Sequence, residues 1–444
     1  MIFKRSGYLN KLIAHKHNGL IKIVTGTRRA GKSFLLNELF YLHLLNDGVR
    51  EKDIIRFAFD VDEDVDKLDK YFQNEPTKIK VNNYYVVNAK KFRAYIAERT
   101  NDVDYFYLIL DEIQLLDNFV GTLNGFLRKR NFDVYVTGSN SKFLTSDIAT
   151  EFRGRGSEVH VWPLTFKEYY EEIRGDVNNA WNDYLTYGGI PLIANLSEEE
   201  KKIYLDGLYK EIYLKDIVTR NNIRKKDDLD ELFNVLASSI GAYTNPLKIV
   251  KTFESVLHKK ISNDSVKQYI EYLENAFLIS KALRYNIKGR KYLGTPFKVY
   301  FEDVGVRNSI LNFRQVEETH LMENIIYNEL RYRGFSVDVG VVDSFVQTNK
   351  KDKNDNIIYE NNPLEIDFVA NSGASKFYIQ SALNISDDNK LKQEKSSLYK
   401  LNDGFKKFLI TKNGLKPTKD DFGVTTMDLF EFLLDEESLN KEKL

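Results

Sequence analysis

The chain has 444 residues, 42% of them apolar and 29% charged, and its 65 basic and 65 acidic side chains cancel to a formal net charge of zero. That balance lacks the overall basicity of a dedicated polyanion binder, and the absence of cysteine excludes disulfides, thiolate metal sites and cysteine nucleophiles. No run approaches the roughly 18 apolar residues of a membrane span and the opening segment is too polar for a signal peptide, so a cytoplasmic, non-membrane protein of two or three domains is expected.

Residues 20–200 alternate short apolar runs with helical patterns, which predicts an α/β domain with a mostly parallel sheet. Strands are expected at 20–26, 53–60, 105–111, 133–139 and 157–164, and helices near 31–45, 88–99, 117–129 and 141–152. Residues 200–310 change to successive helices, for example 229–241 and 265–279, with apolar residues three and four apart. A hairpin over 281–301 follows, turning at Lys288-Gly289-Arg290, and the combination suits a winged-helix module. From 320 the pattern becomes α+β: a helix at 321–334, strands at 336–342, 363–370 and 376–383, and a polar hairpin insertion at 347–362. The tail from Asp435 is expected to fray. The expected domains are therefore 1–200, 201–314 and 315–444.

Between the first strand and the first helix stands Gly26-Thr27-Arg28-Arg29-Ala30-Gly31-Lys32-Ser33, which fits G-x-x-x-x-G-K-[ST]. Glycines at those positions let the backbone curl so that its N–H groups face a phosphate, and the helix N-terminus adds its positive dipole end. Lys32 would neutralise the β- and γ-phosphates and the Ser33 hydroxyl would ligate Mg²⁺. Residues 26–33 together with Phe34 form the candidate nucleotide-binding set. The third strand ends Leu108-Ile109-Leu110-Asp111-Glu112, a carboxylate pair at the same sheet edge. Asp111 would hold Mg²⁺ through a water, and Glu112 would act as general base on the attacking water.

The fourth strand ends Thr137-Gly138-Ser139-Asn140-Ser141. Asn140 or Ser139 would sense the γ-phosphate, or else these residues form a turn and helix N-cap. Arg153 and Arg155, in Arg153-Gly154-Arg155-Gly156, either reach a transferring phosphoryl group or close a helix as C-terminal cations. Arg28 and Arg29 either contact nucleotide or pair with acidic neighbours.

GTRRAGKS (26–33), LILDEIQ (108–114), TGSNS (137–141), RGRG (153–156), PLTF (163–166) with Glu168-Tyr169, and YGGIP (187–191) occur in that order. The set resembles the AAA-type ATPases of archaea and bacteria that carry a C-terminal domain of unknown function, over nearly the whole chain. The resemblance implies a five-stranded AAA core and ATP as the nucleotide. It supports Glu112 as base and places an arginine finger at Arg153 or Arg155. It also implies a winged helix in the middle and a restriction-endonuclease-like fold at the end.

In the winged-helix reading, residues 264–275 form a recognition helix. Lys259, Lys260 and Lys267, with Lys288, Arg290 and Lys291 on the wing, would meet phosphates of double-stranded DNA. Tyr269, Glu271, Tyr272 and Glu274 on that helix suit a protein partner better. An endonuclease-like site needs a helix acid, a strand Asp, and a Glu or Gln followed two residues later by Lys. Glu323, Glu365 and Asp367 supply the acids, but Gln380 stands in the third position and Ala382 where Lys belongs. A degenerate site is expected, unless Lys390 or Lys392 substitutes. The bland alternatives are a solvated helix face for Glu323 and a turn acid for Asp367.

These readings converge on a Mg²⁺-dependent ATPase whose nucleotide state controls the C-terminal modules on DNA. The alternatives are a nucleotide-gated protein-binding switch and an ATP-dependent nuclease. An oligomer is compatible with each.

Overall fold

The computed structural model describes residues 2–81, 84–138, 154–351, 357–385, 387–414 and 416–441. Contacts divide the chain into two compact units: Met1–Pro163 with Asn275–Phe277, and Leu164–Glu274 with Leu278–Leu444.

The first unit holds strands β1 (Ile21–Thr25), β2 (Ile54–Ala58), β3 (Lys78–Val81), β4 (Tyr84–Val87), β5 (Phe106–Asp111), β6 (Phe132–Thr137) and β7 (Gly156–His160). Five of them form a parallel sheet in the order β2-β5-β6-β1-β7. β5 and β6 are buried along their whole length, as expected for continuous apolar strands covered on both faces. One side of the core gathers Phe57, Phe92, Leu108, Leu123 and Val134. Phe92 lies 5.0 Å from Phe57 and 4.9 Å from Phe59 between ring centroids, and its full burial contributes about 1.5–3 kcal/mol. Parallel strands end at one common edge. There the loop after β1 meets the ends of β5 and β6, and ligands favour such a position in open α/β sheets. The small antiparallel hairpin β3–β4 has no counterpart in the expected elements.

The second unit begins with helices, including Phe166–Ile173, Val177–Tyr187 and Lys226–Ser238. It ends in a mixed sheet. Its strands are β8 (Ile279–Asn286), β9 (Lys291–Phe301), β10 (Ser336–Val342), β11 (Phe345–Lys351), β12 (Ile357–Asn361), β13 (Leu364–Ser372), β14 (Ser375–Ala382), β15 (Lys406–Thr411), β16 (Thr418–Lys419) and β17 (Val424–Asp428). Eight of them are ordered β16-β17-β15-β14-β13-β10-β8-β9, and β11 pairs with β12 separately.

The expected division at 314/315 runs through this sheet. β8 pairs in parallel with β10 by Arg284–Val339, Tyr285–Gly340 and Asn286–Val341, so the β8–β9 hairpin is an edge of the last sheet rather than a free wing. The physical reason is that the outer N–H and C=O groups of β8 need partners, and β10 supplies them. The tail also differs from expectation: Ser438 and Leu439 are buried. Arg333 donates to the Glu436 carbonyl (3.2 Å) and the Ser438 hydroxyl (3.1 Å), which pins that end of the chain.

Candidate functional site

The loop after β1 owes its shape to three residues with positive φ: Gly26 (130°), Arg29 (70°) and Gly31 (95°). A Cβ on Gly26 would lie 2.1 Å from the carbonyl oxygen of Val161, so only glycine fits there. Gly31 leads into the helical run of Lys32–Phe34, a π-helical segment Leu35–Phe40, and Tyr41–Asn46. Lys32 is buried, and its ammonium donates to the carbonyls of Gly26 (2.8 Å) and Thr27 (2.9 Å). Thr27 and Ala30 are buried, whereas Arg28, Arg29, Ser33 and Phe34 face solvent.

Two strands away, Asp111 closes β5 and Glu112 follows it in a left-handed conformation, φ 51°. Thr137, at the end of the intervening β6, ties the pair together. Its hydroxyl donates to Asp111 Oδ1 and accepts from the Glu112 N–H (3.0 Å). Asn37, one turn into the helix after the loop, offers its amide to Asp111 Oδ2 at 3.4 Å. The amide of Gln114 donates to Glu112 Oε2.

Asp60, just past β2, joins this acidic edge. Its side chain still reaches solvent, yet its carboxyl titrates above the usual range. Partial desolvation is the first cause and the charges of Glu112 and Asp111 the second, with Arg28 opposing them. Sequence reasoning overlooked Asn37 and Asp60. Asp60 ends an apolar strand as Asp111 does, and that parallel was the available signal.

Arg155 is exposed, with Nη1 3.3 Å from Asn124 Oδ1, and its carbonyl accepts from Ile21 N–H (3.0 Å). Ser139, Asn140, Ser141 and Arg153 lie outside the described residues, as does the expected helix at 141–152.

The donor set suits a nucleotide with a hard divalent cation. A glycine cradle, a lysine and a hydroxyl at a helix start face one carboxylate pair, and Mg²⁺ needs few protein ligands beside phosphate and water. Among the described residues, no three His, Cys, Asp or Glu are grouped to hold a metal by themselves.

In the second unit the expected nuclease-like residues do meet, around a residue the sequence reading missed. Lys298 on β9 is buried, and its ammonium lies 2.8 Å from Glu323 Oε1 and 2.6 Å from Glu365 Oε1. Tyr300, two residues on and therefore on the same face, donates to Glu323 Oε1 at 2.6 Å. Burial alone would lower Lys298, but the charges of Glu323, Asp367 and Glu365 outweigh it and hold it protonated. Asp367 accepts from the Ser381 N–H and hydroxyl, both at 2.8 Å, and its own N–H donates to Gln380 Oε1 at 3.3 Å. Burial, and then the Glu323 charge, push Asp367 up to about 7. Glu323 is buried, so the solvated-face reading fails, and Asp367 lies within β13 rather than in a turn. A lysine within the apolar run Phe297–Phe301 was the signal for Lys298. Lys390 and Lys392 lie on the helix Asp388–Tyr399, and the cation that meets these carboxylates is Lys298 instead. Of the lysines expected to meet DNA, Lys259 is paired with Glu231 (2.9 Å) and Lys267 with Asp264 (3.4 Å).

A five-stranded parallel sheet with the loop after β1 and the acid pair at the end of β5 defines a P-loop NTPase fold of the AAA type in the first unit. A family model described as an AAA domain matches residues 18–170, and one described as a domain of unknown function matches 178–317. The chain belongs to one family with an uncharacterized protein of Haemophilus influenzae, to which it is 30% identical over 98% of its own length and 99% of the relative's. It is 28% identical to an uncharacterized protein of Methanocaldococcus jannaschii over 87% of its own length and 79% of the relative's. Among solved structures, Cdc6p from Pyrobaculum aerophilum is similar at 12% identity and a TM-score of 0.31, covering 73% of this chain and 94% of that one. No helix among the described residues is long and apolar enough to cross a membrane.

Proposed function

We propose that the first unit binds ATP with Mg²⁺ and hydrolyses it, and that the nucleotide state controls the helical and mixed-sheet parts of the second unit. The observation that carries this reading is the Thr137 hydroxyl joining Asp111 to Glu112 at the edge where the loop 26–33 curls.

In this reading the backbone N–H groups of the loop receive the phosphates. Lys32 exchanges the carbonyls of Gly26 and Thr27 for the β- and γ-phosphate oxygens, a swap that needs only a rotation of its flexible stem. Ser33 and Asp111 hold the cation, and Asn37 keeps the Asp111 carboxylate turned toward the helix. When bound, Mg²⁺ neutralises charge on the phosphate oxygens. Glu112 takes the proton of the attacking water, with Gln114 and the Thr137 hydroxyl fixing its orientation. Asp60, beside both acids, raises the negative field there and favours recruitment of the cation. Phe34, Arg28 and Arg29 flank the nucleotide. Asn140 or Ser139 senses the γ-phosphate, and Arg153 or Arg155 stabilises the transferring phosphoryl group. ATP is preferred to GTP on family grounds.

The carboxylates of the second unit gather around Lys298 rather than around a catalytic metal in this reading, because its ammonium holds the position a metal would need. We therefore expect no nuclease activity. DNA is the proposed partner of the second unit, with a protein partner as the alternative. A salt-dependent mobility shift on double-stranded DNA separates the two, since phosphate contacts weaken steeply with salt.

The ATPase reading is tested by two variants. Lys32→Ala should lose nucleotide binding, and Glu112→Gln should keep ATP while turnover stops. Turnover of the Gln variant near the wild-type rate refutes the assignment of the base. Measuring rate against protein concentration reports whether an arginine acts between subunits, as an oligomeric ATPase would require.

A further inference from the structure

The formal charge of the whole chain is zero, but its cations are not spread evenly. A cavity of about 560 Å³ in the second unit is lined by Lys288, Arg290, Lys376 and Lys400 against one carboxylate, Asp403. Three chain segments far apart in sequence build it: the β8–β9 turn, the start of β14, and the turn that follows the helix Asp388–Tyr399. Lys288, Arg290 and Lys400 are exposed. The one acid is already engaged, accepting from the Tyr378 hydroxyl at 2.6 Å and from the Phe405 N–H at 3.4 Å. Asp343 also faces Lys288, but it lies outside the cavity lining and is held by the amides of Asn361 (3.0 Å) and Asn286 (3.3 Å). The cavity therefore keeps a net positive field.

Phe405 stands among these cations with 38% of its surface exposed, and the Lys376 ammonium lies 4.8 Å from its ring centroid. Tyr378 meets it edge-on at 6.2 Å, which fixes the ring from one side. A second cavity shares Asp403 and Phe405 with the first and continues the surface past Lys416 and Lys419 to Phe422, which is 66% exposed, with Glu431 as the further acid in its lining. The result is a concave path of cations interrupted by aromatic faces.

From this geometry we infer that the surface around Phe405 binds single-stranded nucleic acid, with the four cations on the phosphates and the Phe405 ring stacked on an unpaired base. A duplex cannot satisfy both features, because its paired bases turn no face outward. An acidic peptide would use the cations but has no need of an exposed aromatic platform. Stacking on aromatic side chains within a basic groove is how sequence-tolerant single-strand binders work. The inference rests on no property of the nucleotide site. It also differs from duplex binding by a recognition helix, since Lys288 and Arg290 act here with Lys376 and Lys400.

The test is fluorescence anisotropy of a labelled, mixed-sequence single-stranded DNA, titrated with the full-length protein across a range of salt. Competition by unlabelled duplex of the same sequence and by poly-glutamate completes it. We expect binding that the single strand competes away far better than either competitor. Lys288→Glu with Arg290→Glu should flatten the slope of log affinity against log salt by about 1.4, at about 0.7 per lost phosphate contact. Phe405→Ala should weaken binding about 5- to 150-fold, and Phe405→Trp should restore it. All these side chains are solvent-facing, and unchanged circular dichroism serves as the folding control. With no nucleotide present, Lys32→Ala should bind the strand like the wild type, so a failed ATPase reading leaves this inference standing. Unchanged affinity in the charge-reversed or Phe405→Ala proteins overturns it. Equal competition by poly-glutamate overturns it in favour of an acidic protein, and equal competition by duplex removes the role of the ring.

Discussion

Asp367 offers a direct probe of the buried charge cluster, because replacing it with asparagine keeps its shape and its acceptor for Ser381 while removing its titration. In the folded protein its carboxyl is displaced from the usual 3.8 up to about 7, by burial first and by Glu323 second. A displacement of that size corresponds to about 4 kcal/mol, which relaxation and water entry can only reduce. The sign follows from which state holds the proton more tightly. The folded state does, so the stabilisation from this group is complete below pH 3.8, falls as pH rises, and is gone above about 7. Wild-type protein at pH 8 therefore carries a deprotonated, poorly solvated Asp367, whereas Asp367→Asn does not. Urea unfolding of both proteins at pH 5 and pH 8, followed through a probe in the second unit, should show the variant gaining on the wild type by about 2–3 kcal/mol between the two pH values. A stability difference independent of pH would refute the reasoning, and a variant less stable than wild type at pH 8 would show that the ionised carboxylate is structural.

Lys298→Met should destabilise the second unit by about 3–5 kcal/mol at neutral pH, because it leaves the buried Glu323 and the half-buried Glu365 without their cation. Part of that loss should return on acidification as carboxylates protonate, as read from unfolding midpoints against pH. Thr137→Val removes the hydroxyl between Asp111 and Glu112, so ATP turnover should fall about 10–100-fold with nucleotide affinity nearly unchanged. Equal losses in both would place Thr137 in binding instead. Arg155→Ala should lower turnover more than ATP affinity if Arg155 acts on the phosphoryl group. No effect on either would assign it to its neighbour Asn124 and leave the role to Arg153.

Local signals were legible wherever one segment carries the whole message. The loop 26–33 needs Gly26 and Gly31 for its backbone and carries Lys32 and Ser33, the residues proposed to meet phosphate and metal, all within eight residues, so its place between strand and helix could be read directly. β5 and β6 were equally plain, since strands covered on both faces are mostly apolar, with buried Asp133 in β6 held by Lys22. The helices near 229–241 and 265–279 and the turn at Lys288-Gly289-Arg290 follow from periodicity and glycine in the same way. Different physics governs what was missed. The partner of β8 is β10, some fifty residues further on, and no local pattern announces which edge a strand will pair with. Lys298 reads as an interruption in an apolar strand until Glu323, Glu365 and Asp367 close around it, and Asn37 and Asp60 acquire meaning only beside Asp111. The cations around Phe405 come from three distant segments of a chain whose charges sum to zero. Sequence by itself determined most of the elements, the β3–β4 hairpin excepted, and the glycine loop 26–33, because those depend on residues within a few positions of one another. Only the tertiary structure decided which charges face each other, because electrostatic partners are set by distance in space and carry no mark in the order of the chain.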